Sequence, residues 1–497
     1  MKKKLCIFMS LLMAISICGA VRLYAGGTSQ SAPAAASGPT EIKILAPYWS
    51  AEIPENTIIL QKLQDLTNTK LSFDWIPPTS LSEKAALVIA SQELPDVMEA
   101  QNSYWKTQFL VDAIRSGMFW ELGPLFNNYS NLKNLDINWD YGRYDGKIFG
   151  VPRMVLKRPA GMIIRLDWLE NLGLKMPQTT DEFYNVLKAF TAGDPAKTGR
   201  NDTFGVAMNG LGILNPVVMS LGMNPYWYED KDGQILPAFY QTNYIDALKF
   251  IKKVYDEGLM NQDFMSTNQG NIRNSFFQGK AGIVTGGAIG MISDGAFNAV
   301  FNNPGAKIAP LGAFKGPDGI LSCESQPNFN CFYMIPKPSV KTQDKVDKIL
   351  AFFNRTMDPE VFNLFYKGVE GVHYRMDGDQ TVIIDQAQLT KDLAPMLSLY
   401  VLPQIVANLQ ISDKPELRLG YDFQVANYRD YAQTDQYFIA KVPTTQLAQI
   451  MNDANSQFVA GQINEAQWRA AIDNWNKAGG TALIADYTEQ NKLRSKQ

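Results

Sequence analysis

Three short runs, "EIKILA" (41–46), "KLSFDWI" (70–76) and "LPDVM" (94–98), decide the fold class. The first alternates polar and apolar residues as a half-buried strand does. The second puts Leu71, Phe73 and Trp75 on one face, and the third reads as a short buried strand. Between them, about Glu55–Leu66 and Ser82–Ser91 read as helices. Strand, helix, strand, helix, strand predicts a mostly parallel α/β sheet.

Downstream the same style recurs. Thr179 with Glu182 makes a capping box ahead of Phe183, Val186, Leu187 and Phe190, which share a helical face. Asn243 precedes a stripe of Leu248, Ile251, Val254 and Tyr255, stopped by Gly258. A third helix, about 342–357, carries Val346, Ile349, Leu350 and Phe353. These stripes are core-facing. A chain of 497 residues exceeds one core, so two or three domains are expected. With 46% hydrophobic and 19% charged residues it has an ordinary globular composition.

The first 25 residues read as a signal peptide: Lys2, Lys3 and Lys4, an apolar stretch Leu5–Val21, then a small residue before a cut after about Ala25. The rival is a lipid anchor on Cys18, but Ile17 stands where such signals need Gly, Ala or Ser. Cleavage without an anchor implies a periplasm. Residues 26–40, "GGTSQSAPAAASGPT", form a spacer with nothing to bury. No second run of 18 apolar residues follows, so the mature chain is expected to be soluble. Removing Lys2, Lys3, Lys4 and Arg22, and no acid, moves the net charge from −3 to about −7. That balance argues against nucleic acid or an anionic membrane as partner.

Catalytic signatures are missing. His373 is the only histidine, so there is no zinc His pair, and any Ser-His-Asp triad would have to pass through it. "FFQGKAG" (276–282) lacks the first glycine and the Ser/Thr of a phosphate loop. A carboxylate-pair carbohydrate-active enzyme stays open as an alternative, because two acids among 49 can always be proposed. Cys323 and Cys331, in "CESQPNFNC", either close a loop in an oxidising compartment or remain two reduced thiols.

"YDGKIFGVPRM" (144–154), "GMIIRLDWLENLGLKMPQTTDEFYNVLKAFTAGDP" (161–195) and "DTFG" (202–205) resemble the extracellular solute-binding proteins of family 1. "SQELPDVM" (91–98), "YDEGLMNQDF" (255–264), "FFQGKAGIV" (276–284) and "GVEGVHYRM" (368–376) extend the resemblance over nearly the whole mature chain. These are receptors of carbohydrate-importing ABC transporters, and the long oligosaccharide-receptor branch is the nearest. The resemblance implies a two-domain type II periplasmic binding protein fold, α/β, with a hinge and an interdomain cleft. By analogy, domain one takes 41–151 and 330–376, and domain two takes 152–329 and a partly helical 377–497. Gly150-Val151-Pro152 is the expected first crossing. The implied function is capture of an oligosaccharide by domain closure and delivery to the membrane permease, by a monomer without catalysis. A receptor for a peptide or polyamine is the alternative.

Sugar faces stack on flat rings and hydroxyls need planar donors and acceptors. Trp49 follows the first strand, where ligands meet α/β sheets. Tyr226 and Trp227 cluster in "NPYWYED" (224–230). Arg165 either pairs with Asp167 or reaches the cleft; the cleft is the expectation. Asn209, Glu370 and His373 complete the expected ligand contacts, His373 within a turn allowed by Gly368 and Gly371. Shorter receptors often carry a Trp within the segment matching 286–292; "GGAIGMI" has no ring. "DPAKTGRNDT" (194–203) is similar to a calcium loop of some relatives, but Ala196 and Thr198 replace ligands and Thr203 the last acid. Asp194, Thr198 and Asp202 make a poor cage, so no cofactor is expected, with weak calcium binding at these three residues as the alternative.

Overall fold

The structure, a computed structural model, describes residues 38–48, 50, 53, 55–101, 104–154, 161–197, 199–200, 202–286, 306–312, 314–325, 329–378, 380–399, 429–432 and 434–494. The expected signal peptide, the Cys18 anchor, Trp49 and Thr198 lie outside them, as do residues 287–292 of "GGAIGMI".

Leaving aside three short two-stranded ribbons, the strands in chain order are β1 (Thr40–Pro47), β2 (Thr69–Ile76), β3 (Val97–Gln101), β4 (Gly150–Met154), β5 (Met162–Arg165), β6 (Phe204–Ala207), β7 (Ala281–Thr285), β8 (Ile308–Leu311), β9 (Ser322–Ser325), β10 (Phe329–Met334) and β11 (Arg429–Ala432). The helices that matter are α1 (Ile58–Thr67), α2 (Leu81–Ser91), α3 (Thr180–Ala192), α4 (Tyr244–Asp256), α5 (Gln343–Thr356), α6 (Pro359–Lys367), α7 (Gln386–Leu393), α8 (Thr444–Val459), α9 (Glu465–Trp475) and α10 (Thr481–Arg494).

The first sheet has the order β2-β1-β3-β10-β4. β1 runs parallel to β2 and β3, as the opening pattern predicts. β10 alone runs antiparallel, between β3 and β4, so four of the five strands point one way and the sheet is mostly parallel as expected. Thr57 caps α1, its Oγ1 accepting the Leu60 N–H at 3.3 Å, which is why the helix starts at Ile58 and not at Glu55. Phe73 and Trp75 are half-buried on β2 and stack on each other at 4.4 Å.

A second sheet has the order β8-β5-β7-β6, with β7 parallel to β6 and antiparallel to β5. The Thr179–Glu182 capping box forms, and α3 buries Phe183, Val186, Leu187 and Phe190 as its stripe dictates. Gly282 is required on β7, because a Cβ there would stand 2.0 Å from the Phe190 ring.

Each sheet has its own core. Ile44, Leu63, Val97, Tyr333, Ile349 and Phe353 belong to the first, and Trp168, Phe190, Val206, Leu248 and Ile283 to the second. The segment 386–399, expected with domain two, instead buries Leu389, Met396 and Leu399 in the first core. From α8 onward the tail packs on the second core through Leu447, Phe458, Trp468, Trp475 and Tyr487. Pro152, expected at a crossing, lies inside the fully buried strand β4, and the chain passes between cores after Met154.

Candidate functional site

The chain leaves the first core between Met154 and Met162, and returns to it between Phe314 and Phe329. Register shows which sheet edges these crossings share. In the first sheet Gln101, Cys331 and Arg153 stand side by side at the carboxyl ends of β3 and β4. In the second, Thr285, Met162 and Leu311 align at the carboxyl end of β7. Ligands of open α/β sheets bind at such carboxyl edges. Here both edges carry the inter-core crossings, so they define the cleft.

A buried polar network braces the edge of the first sheet. Arg153 Nη1 meets Glu99 Oε1 at 2.9 Å, with side-chain exposures of 3% and 0%. Arg153 Nε also donates to Asn330 Oδ1 at 2.9 Å, and Nη1 to the Leu397 carbonyl at 3.2 Å. Gln101 Nε2 donates to Glu99 Oε1, and the Cys331 thiol hydrogen-bonds the same carboxyl. Burial pushes the Glu99 carboxyl up to about 7 against the pull of Arg153. Ser398 Oγ donates to the Pro47 carbonyl at 2.6 Å, and the Tyr333 hydroxyl to the Ser398 carbonyl at 2.9 Å. The ends of β1, β3, β4 and β10 and the turn at 394–398 are thereby held as one unit.

A cavity of about 550 Å³ opens in the second core, walled by the rings of Trp227, Phe239, Trp475 and Tyr487. Trp227 meets Tyr487 edge-on at 4.9 Å and Trp475 at 6.1 Å. Thr444 and Thr445, at the start of α8, and Asn452 are its exposed polar lining. Asp435 is the only charged residue of the described lining, and burial pushes its carboxyl up to about 6. A chain of ring contacts joins this cavity to the edge of the first sheet: Phe329 to Tyr141 at 6.5 Å, Tyr141 to Tyr437 at 4.8 Å, Tyr437 to Phe438 at 6.3 Å, and Phe438 to Tyr487 at 5.1 Å. The cavity volume falls in the range of about 300–1,000 Å³ usual for small-molecule sites.

The profile of the bacterial extracellular solute-binding proteins matches residues 47–354, more than half of the chain. The chain belongs to that family. It is 31% identical over 505 residues to the polygalacturonan/rhamnogalacturonan-binding protein YtcQ of Bacillus subtilis (strain 168), covering 97% of this chain and 98% of that protein. It is also 31% identical to the lipoprotein LipO of the same organism, over 95% of this chain and 96% of LipO. The structure of the alginate-binding protein AlgQ2 without calcium ion superposes with a TM-score of 0.66 at 20% identity, covering 92% of this chain and 98% of that one. That likeness shows the type II fold. Family and structural neighbours are binding proteins.

In this solute-binding protein the expected contact residues fall in different places. Tyr226 and Trp227 both line the ring-walled cavity. Asn209 is exposed in the bend directly after β6, at the carboxyl edge of the second sheet. Glu370 is exposed on its turn. Arg165 corrects the expectation: β5 runs antiparallel to β7, so its carboxyl end pairs with Ile308 at the edge opposite Thr285. There Arg165 is 2% exposed, and its Nε and Nη2 donate to the Asp167 carboxylate at 2.8 and 2.5 Å.

His373 is likewise a structural residue, 0% exposed. Its Nδ1 accepts the Val369 N–H at 2.9 Å, which leaves Nε2 to carry the proton and donate to Asp392 Oδ2 at 2.9 Å. Gly368, at φ 71°, makes room: a Cβ there would come 2.6 Å from Nδ1. Of the two readings left open for Cys323 and Cys331, the structure favours the unbridged one. Cys331 is a free, buried thiol facing Glu99 in the first sheet, whereas β9, which carries Cys323, pairs with β11. At the calcium-like loop, Asp194 Oδ2 accepts the Gly199 N–H at 2.8 Å and Asp202 is exposed. Among the described residues, no group of three or more His, Cys, Asp or Glu gathers as a metal would need.

Sequence reasoning missed Arg153, Glu99, Asp435, Trp475 and Tyr487. Only the buried charge pair carried a signal, an arginine and a glutamate within otherwise apolar strands ("GVPRM", "VMEAQ").

Proposed function

We propose that this protein is the substrate-binding receptor of an ABC importer, capturing an oligosaccharide between its two lobes and passing it unaltered to the membrane permease. The observation that carries this reading is the ring-walled cavity joined by aromatic contacts to the cleft edge of the first sheet. Flat rings beside hydroxyl, amide and carboxylate groups suit the apolar faces and hydroxyls of sugars. The full-length likeness to YtcQ, a protein named for binding polygalacturonan and rhamnogalacturonan, supports the same class.

The first lobe then comprises about residues 40–154 and 329–399, and the second 162–314 with the tail from α8 onward, while 437–439 touch both cores. Closure of the two about the crossings traps the sugar and displays the permease-binding surface. The protein works as a monomer and needs no metal. It acts outside the cytoplasm, released after about Ala25 rather than anchored through Cys18. The lipoprotein relative makes the anchor the rival outcome, and mass spectrometry of the native N-terminus decides between them.

A thermal-shift screen of the mature protein against neutral and acidic oligosaccharides tests the function. A ligand at ~100 times its dissociation constant adds about 2.7 kcal/mol to the native state. A saturable shift without product supports the receptor. Turnover of a labelled oligosaccharide would make the protein an enzyme, and a screen flat for sugars but positive for peptides or polyamines would change the solute class.

A further inference from the structure

We infer that the cavity around Asp435 is a sugar-ring subsite that selects an uncharged ring and disfavours a uronate. This rests on the receptor reading above and narrows its substrate class.

The inference follows from the charge of the lining. Asp435 lies among Trp227, Trp475 and Tyr487, and no Lys or Arg is among the described lining residues. Its carboxyl titrates at about 6, so at pH 7.5 it is ionised. A uronate ring entering this space would bring a second negative charge beside Asp435, with no cation among the described lining residues to offset it. The start of α8 also borders the cavity, with Pro443 as a cap that makes no side-chain hydrogen bond. A helix N-terminus attracts anions, but its effective charge is only about +0.5 and it is spent within the first turn. It does not outweigh a full carboxylate. Together, free N–H donors at Thr444 and Thr445 and acceptor oxygens at Asp435 match a ring of neutral hydroxyls, which both accept and donate. An oligosaccharide that mixes charged and uncharged rings would be placed by this preference.

The experiment uses two probes that share one sugar backbone and differ in charge and by one methyl group per carboxyl: tetragalacturonate and its methyl ester. Titration calorimetry at pH 7.5 on the mature protein should show the ester bound about tenfold more tightly than the free acid. Asp435→Asn, which keeps shape and removes the charge, should bring that ratio to threefold or less, chiefly by improving the acid. Trp227→Ala should weaken both probes alike. Tighter binding of the free acid by wild type, or a ratio unchanged in Asp435→Asn, overturns the inference while leaving the receptor standing. If neither probe binds, a panel of neutral and acidic oligosaccharides replaces them. Binding of acidic members alone also overturns the inference, and binding of none overturns the receptor reading with it.

Discussion

Arg153 and Glu99 form a buried ion pair at 2.9 Å, one residue before the chain leaves the first sheet. Arg153 also holds Asn330, near the point where the chain returns, and the Leu397 carbonyl. Removing the guanidinium strands a buried carboxyl and frees three segments at once. At pH 8, where the Glu99 carboxyl is ionised, Arg153→Met should therefore lose about 3–5 kcal/mol of stability, the usual cost of breaking one partner of a buried pair. Urea unfolding measures it; a loss below about 1 kcal/mol would show that the network is dispensable.

Glu99 makes stability depend on pH in an unusual direction. Its carboxyl rises from 4.5 to about 7 on folding because burial disfavours the charge. Between those values the folded protein holds a proton that the unfolded chain gives up. The stabilisation is thus fully present below 4.5 and is lost as pH rises through 7, at most about 3 kcal/mol at ~1.4 kcal/mol per unit. Asp435 adds the same sign over a lower window, up to about 6. Comparing melting midpoints of wild type and Glu99→Gln from pH 4.5 to 7.5 isolates the first. Parallel curves for the two proteins would count against this assignment.

Local features were legible in the sequence and distant pairings were not. The α3 stripe and its capping box depend on neighbours within one turn, and both form as read. The antiparallel return of β10 depends on a partner strand far away in sequence, which no local pattern encodes. Arg165 was misplaced for the same reason: its residue type suits a cleft, but the direction of β5 sends it to the far edge. Trp227 was visible as a ring-rich loop. Its partners Trp475 and Tyr487 stand far away in sequence and reach it only because the tail packs on the second core.

His373 should matter for folding and not for capture. Both ring nitrogens are engaged inside the protein, and Asp392 passes the contact to Thr57 at the start of α1 through its carbonyl, 2.8 Å from Oγ1. His373→Ala leaves the Asp392 carboxylate and the Val369 N–H short of a partner, at about 1–3 kcal/mol. The melting midpoint should fall while the dissociation constant for the bound sugar stays within twofold. A tenfold loss of affinity in a folded variant would return the residue to the site.

Reductant should leave the mature protein's melting midpoint unchanged, because Cys331 is free. Burial raises its thiol well above the ordinary range, so it should also resist alkylation until the protein unfolds. A midpoint several degrees lower in dithiothreitol would reveal a bridge to Cys323.

Trp227 carries both structure and capture, and two substitutions separate them. Its ring stands edge-on to Tyr487 and tilted against Trp475, walls of the same cavity. Trp227→Ala removes the wall and should cost about 3 kcal/mol of stability, toward the low end for a large-to-small change because the ring is only half-buried. Trp227→Phe keeps a flat face at the same place. Its stability loss should be about 1 kcal/mol, and its affinity for a sugar ligand should fall less than tenfold, against a hundredfold for Trp227→Ala. Calorimetry on both variants, at a temperature where each is folded, gives the comparison. Equal affinities in wild type, Trp227→Phe and Trp227→Ala would mean that the ring holds the tail helices in place and that the sugar sits elsewhere along the cleft.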